Sequence, residues 1–112
     1  MAPRIVYSQN SIRVDEGERV ILPCISQAYP LPSYHWSIIQ RSTQWPPNES
    51  PSLASEPDQV QPIHLNSRVF QLDGLLVFKQ ALLSDSGKYR CVVNNTLGTA
   101  LIETELIVNG EY

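Results

Sequence analysis

The chain predicts an all-β sandwich of two packed sheets, and three observations carry that prediction. Short apolar runs alternate with turn residues, and no helical repeat interrupts them. Two cysteines, Cys24 and Cys91, bracket a tryptophan, Trp36. The second cysteine closes the run Asp85-Ser86-Gly87-Lys88-Tyr89-Arg90-Cys91, which sets a tyrosine just before it.

Taken in this order, those residues form the pattern of an immunoglobulin-type domain, here of an I-set-like kind with sheets ABED and A'GFC. Each has a physical task. A Cys24–Cys91 disulfide would join the two sheets across the core, with Trp36 packed against it. Tyr89 would put its ring in the core and return its hydroxyl to the backbone at the E–F corner, while Gly87 eases the turn. Two buried free thiols are the alternative and would suit a reducing compartment. The spacing favours the disulfide, which at this loop length is worth about 4 kcal/mol in the chain-entropy model. A disulfide implies an oxidising, extracellular setting.

The 112 residues suffice for a single immunoglobulin-like domain, 1–112, with one core. A hydrophobic share of 42% is ordinary for a globular protein. The net charge of −3 and the lack of any basic run argue against nucleic acid and against membrane contact by this domain. No apolar run is long enough to span a bilayer and no signal peptide is evident. An extracellular domain lacking both reads as a piece of a longer chain; the parent is expected to be membrane-anchored, although the missing anchor itself says nothing of that.

In chain order, strand A is expected near Arg4 to Tyr7 and A' near Ile12 to Val14. Asp15 to Glu18 turns into B, from Arg19 to Ser26. Tyr29-Pro30-Leu31-Pro32 makes a stiff B–C loop, because both prolines fix φ. C spans Tyr34 to Gln40, D Arg68 to Leu72, E Leu75 to Lys79, F Lys88 to Asn94 and G Leu101 to Val108. Residues 41–62 form a long Pro/Ser-rich insertion between C and D, holding Trp45 and five of the nine prolines. Proline donates nothing to a ladder, so no regular paired strand is expected there. The insertion reads as a solvated loop, with a recognition loop anchored on Trp45 or a flap over one sheet as alternatives.

Alternation then assigns faces. With Cys24 inward, Val20 and Leu22 are core, and Arg19, Ile21, Pro23 and Ile25 point out. With Leu76 and Phe78 inward, Leu75, Val77 and Lys79 point out, and on D Val69 inward leaves Arg68, Phe70 and Leu72 outside. The outer ABED face is therefore apolar. The opposite face shows His35, Ser37, Lys88, Arg90, Asn94, Glu103 and Glu105, with Ile39, Val92 and Leu101 among them. An exposed apolar sheet face asks for a cover, which an interaction would supply; scattered surface aliphatics are the plainer account.

Little suggests catalysis. His35 and His64 are tied to no nucleophile, no Gly-x-Ser-x-Gly elbow occurs, and the acids Asp15, Glu16 and Glu18 read as a turn. No enzyme activity, cofactor or metal is expected. Arg68 and Asp85 are expected to pair at the base of the sandwich as a structural contact. Asn94-Asn95-Thr96 is an acceptor sequence for N-glycosylation at Asn94. Asn48-Glu49-Ser50 is a poorer one because Pro51 follows.

Beyond the general pattern, Cys24-Ile25-Ser26-Gln27-Ala28-Tyr29-Pro30-Leu31-Pro32, Asn66-Ser67-Arg68-Val69, Gly74-Leu75-Leu76-Val77 and the run Asp85 to Gly98 resemble a variable immunoglobulin domain of the arthropod Dscam cell-adhesion family. The likeness is to the seventh domain of the long insect form, or the amino-terminal domain of the shortened chelicerate form. It covers the chain except residues 41–62. The resemblance implies alternative splicing, isoform specificity and homophilic pairing in trans with an identical copy, by antiparallel two-fold docking of ABED faces. Ile21, Pro23, Ile25, Phe70, Leu75 and Val77 would then supply affinity, with Arg13, Arg19, Arg68 and Lys79 at the rim setting specificity. The alternatives are a heterophilic receptor or immune-recognition module using the GFC face or the C–D loop, and a spacer whose apolar face a neighbouring domain covers.

Overall fold

The computed structural model describes residues 1–40 and 59–110. Ten strands follow in order: β1 (Arg4–Ser8), β2 (Ser11–Asp15), β3 (Val20–Leu22), β4 (Cys24–Gln27), β5 (Ser33–Gln40), β6 (Gln59–Pro62), β7 (Val69–Leu72), β8 (Leu75–Phe78), β9 (Gly87–Asn95) and β10 (Gly98–Asn109). A 3₁₀ turn, Leu83–Asp85, precedes β9.

Five strands build one sheet in the order β2-β10-β9-β5-β6, the A'GFC set with one more strand at its edge. β2 runs parallel to β10, and the other pairs are antiparallel. The ABED side consists of β1 against β4 and of β3-β8-β7. Strand B is thus in two halves. β3 pairs with β8 and β4 pairs with β1, and Pro23, which has no N–H to donate, sits where the partner changes.

The extra strand corrects one expectation. The insertion's last four residues, Gln59–Pro62, do pair, with Ser37↔Pro62 and Gln40↔Gln59 as the ends of the register. Proline is compatible with this position because β6 is the sheet edge, where one side of the backbone needs no partner. Trp45 and the other insertion prolines, like the Asn48 acceptor sequence, lie outside the described residues.

The core lies between the layers, with Val20, Leu22, Val69, Leu76 and Phe78 from one sheet and Trp36, Tyr89, Val93, Leu106 and Val108 from the other. The Cys24–Cys91 disulfide crosses it, linking residues 67 apart in sequence. Trp36 stands opposite Cys91 in register and is buried, and its indole Nε1–H donates to the Gly74 carbonyl at 3.1 Å. That bond needs β8 to begin very close to β4. A Cβ on Gly74 would fall 1.9 Å from the Cys24 carbonyl oxygen, so no side chain fits there. The preceding Asp73 takes the left-handed conformation, φ 50°, at the tip of the β7–β8 hairpin.

The E–F corner is a second fixed point. The Tyr89 hydroxyl donates to the Asp85 carbonyl at 2.5 Å, and the ring meets Phe78 edge-on at 5.7 Å. Burial holds the phenol well above its ordinary pKa. Arg68 forks onto the Asp85 carboxylate, Nη1 to Oδ2 at 2.7 Å and Nη2 to Oδ1 at 3.2 Å. Its Nη1 also donates to the Gln80 carbonyl, while Asp85 Oδ2 accepts from the Leu82 N–H. The Asp85 hydrogen bond raises the Arg68 pKa against the opposing effect of burial.

Candidate interaction face

The outer ABED face rises from β1, β3, β4, β8 and β7. Tyr7 and Ile25 face each other across the β1–β4 ladder, and both are exposed, Ile25 by 44%. Ile21, Val77 and Phe70 form one row across β3, β8 and β7. Leu72 and Leu75 close the face at the hairpin, Leu72 being 55% exposed. Arg19 and Lys79 are exposed at the opposite end, and the Lys79 ammonium lies 5.7 Å from the centre of the Phe70 ring.

Two residues expected on this outer face are buried, which corrects the set, and Ile39, expected on the opposite outer face, is buried as well. Val77 is 1% exposed, because a short branched side chain on the central strand stands between the taller Ile21 and Phe70. Pro23 is also buried. It lies between Ile21 and Ile25 along strand B, and Leu75 lies one step beyond the last β3–β8 pair. Phe70 and Leu75 are half-buried, and Arg68 turns away to Asp85. Arg13 belongs to β2, on the other sheet, where it pairs with Ile107.

Val6 and Tyr7 were not anticipated. The ladder slips between Ile5 and Tyr7, so Ile5 packs on the core while Val6 and Tyr7 are both exposed. A strict alternation count over Arg4 to Tyr7 misses such a slip. The Asp73-Gly74 pair between two apolar runs was the available sign of the tight hairpin that presents Leu72 and Leu75.

The outer face of the five-stranded sheet has another character. Arg90 opposes Glu103 in register and binds it through Nη2 at 2.7 Å, and Lys88 opposes Glu105. His35, Val92 and Leu101 form the next row, with Leu101 54% exposed. His64 is exposed, and the described residues contain no group of acids, histidines and cysteines able to hold a metal.

These features define an immunoglobulin domain, and the family model described as "Immunoglobulin domain" matches residues 2–95, so the chain belongs to that family. Among immunoglobulin proteins, it is similar to the Dscam cell-adhesion molecules. It is 40% identical over 105 residues to cell adhesion molecule Dscam1 of Drosophila melanogaster, covering 93% of this chain and 4% of that protein. It is 34% identical over 97 residues to cell adhesion molecule DSCAM of Gallus gallus, covering 86% of this chain and 4% of that protein. The chain therefore spans a small fraction of these relatives. Among solved structures, the N-terminal four immunoglobulin domains of Dscam1 isoform 9.44 superpose with a TM-score of 0.80 at 32% identity, over 98% of this chain and 25% of that one. A structure addressing the basis of Dscam isoform specificity gives 0.75 at 33% identity, over 96% and 24%. The chain is thus an extracellular immunoglobulin domain similar to those of the Dscam cell-adhesion molecules.

Proposed function

We propose that this domain is a homophilic recognition module that pairs in trans with an identical copy through its outer ABED face. The observation that carries the reading is the run of exposed apolar side chains Val6, Tyr7, Ile25, Ile21 and Leu72 on one side of the sandwich. An isologous contact lets apolar residues near the two-fold axis meet their own copies, and offsets Arg19 and Lys79 at the rim so that they select partners. Such a face buries on the order of 800 Å² per partner, the size of a standard interface. Micromolar affinity suffices where many copies meet at a junction. The interface set is Ile21, Ile25, Phe70, Leu75, Arg19 and Lys79, joined by Val6, Tyr7 and Leu72; Pro23 and Val77 support it from beneath.

Sedimentation equilibrium of the oxidised domain over a wide concentration range tests the reading. A reversible monomer–dimer equilibrium supports it, and a monomer at the highest concentration rejects self-pairing by this domain. A heterophilic role through the GFC face is the second reading, favoured by the exposed Leu101 beside Val92. A monomer that binds a different protein through that row would establish it.

A further inference from the structure

We infer that Asn94 carries an N-linked glycan, and that this glycan covers the upper part of the outer GFC face. Acceptor sequences are short and arise by chance, and this one is set apart by where the fold puts it. Val93 is fully buried, so its neighbour Asn94 points to the outside of β9. Its partners in register are Ser33 on β5 and Thr99 on β10, both exposed and both short, so the amide stands between low neighbours. Thr96, the hydroxyl residue of the acceptor sequence, is exposed in the β9–β10 turn.

The structural work at this end falls to Asn95 instead. Its Nδ2 donates to the Met1 and Pro30 carbonyls at 2.8 and 3.0 Å, and its Oδ1 accepts from the Leu97 and Gly98 N–H groups. Among the described residues no hydrogen bond ties down the Asn94 amide, so a sugar there costs the fold nothing it uses. In the transfer, Asn94 Nδ2 attacks C1 of the first sugar of a lipid-pyrophosphate-linked oligosaccharide. The N–C bond forms as the C1–O bond breaks, the amide gives up one proton, and the lipid pyrophosphate leaves with the electron pair.

The consequence concerns the faces. His35, Val92 and Leu101 form the row next to Asn94, on the same side of the sheet. A bulky, hydrated chain rooted one row away stands over them and blocks protein docking there. The sandwich then offers one open apolar face rather than two. Occupancy of the site does not depend on the homophilic reading.

The test is the domain secreted from a eukaryotic host, with Thr96→Ala and Thr96→Ser variants. Enzymatic deglycosylation in oxygen-18 water, followed by peptide mass mapping, is expected to convert Asn94 to labelled Asp in the parent and in Thr96→Ser, and not in Thr96→Ala. An unlabelled Asn94 in the parent overturns the site. Diethyl pyrocarbonate then probes the cover, with His64 as the internal control for His35. His35 is expected to react several-fold faster in Thr96→Ala than in the glycosylated parent, and equal rates overturn the shielding.

Discussion

The two outer faces obey the same alternation rule and end in opposite states. On β9 and β10 the outward positions toward the E–F corner hold charges, Arg90 bound to Glu103 and Lys88 opposite Glu105 in register, with Val92 and Leu101 as the apolar row beyond them. On β3, β4, β7 and β8 they hold Ile21, Ile25, Phe70, Leu72 and Leu75, and only the rim is charged. Exposed apolar area does nothing for the stability of the monomer, because its transfer free energy is realised only when something covers it. The paired charges are satisfied without a partner. Apart from Val92 and Leu101, one face is therefore satisfied in the monomer, and on the proposed reading the other is completed by association. Even the ABED face is not uniform: its central row is already sealed at Val77, leaving the exposed apolar groups toward β1 and the β7–β8 hairpin.

Substitutions that disturb the frame should erase this contrast, and the most severe is at Gly74. In Gly74→Ala a methyl group meets the Cys24 carbonyl, forcing β8 from β4 and breaking the Trp36 bond. The expected loss is about 3 kcal/mol in denaturant unfolding. Arg68→Ala ranks next. It leaves the mostly buried Asp85 carboxylate with the Leu82 N–H but no cation. Because Arg68 is itself partly exposed, the expected loss is about 2 kcal/mol rather than that of a fully buried pair.

Tyr89→Phe should cost about 1 kcal/mol by leaving the Asp85 carbonyl without its donor. It also carries a pH signature. Burial raises the phenol pKa in the folded state, so the folded protein holds that proton more tightly than the unfolded chain. The associated stability is complete below the unfolded value of about 10 and is lost as pH rises above it. The unfolding free energy, followed from pH 8 to 11, should fall more steeply in the parent than in Tyr89→Phe. The smallest effect belongs to the completed face. Arg90→Gln removes a half-exposed pair and should change stability by about 0.5 kcal/mol while leaving self-association unaltered. A loss of association in this variant would shift the contact to the GFC side.

Much of the frame was legible because it rests on residue types with a single workable place. Cys24, Trp36, Tyr89 and Cys91 mark the core and the E–F corner, and Asp85 lies within reach of Arg68 through the same turn. The faces were legible only as far as strict alternation holds. It fails at Ile5–Tyr7, where the ladder slips, and parity alone does not report height, so Val77 and Pro23 were placed outside when taller neighbours bury them. β6 was missed because proline counts against a strand in general, whereas an edge strand tolerates it. Gly74 was missed as a structural residue because its reason, the approach of the Cys24 carbonyl, is a contact between segments remote in sequence.

The most direct test of the face assignment is sedimentation equilibrium on two variants that place the same charge on opposite sides, Ile25→Asp and Leu101→Asp. Both positions are comparably exposed, so both proteins should unfold within about 1 kcal/mol of the parent. Ile25→Asp is expected to be monomeric at concentrations where the parent dimerises, and Leu101→Asp to dimerise as the parent does. A dimer in Ile25→Asp together with a monomer in Leu101→Asp would contradict it and move the recognition surface to the GFC sheet.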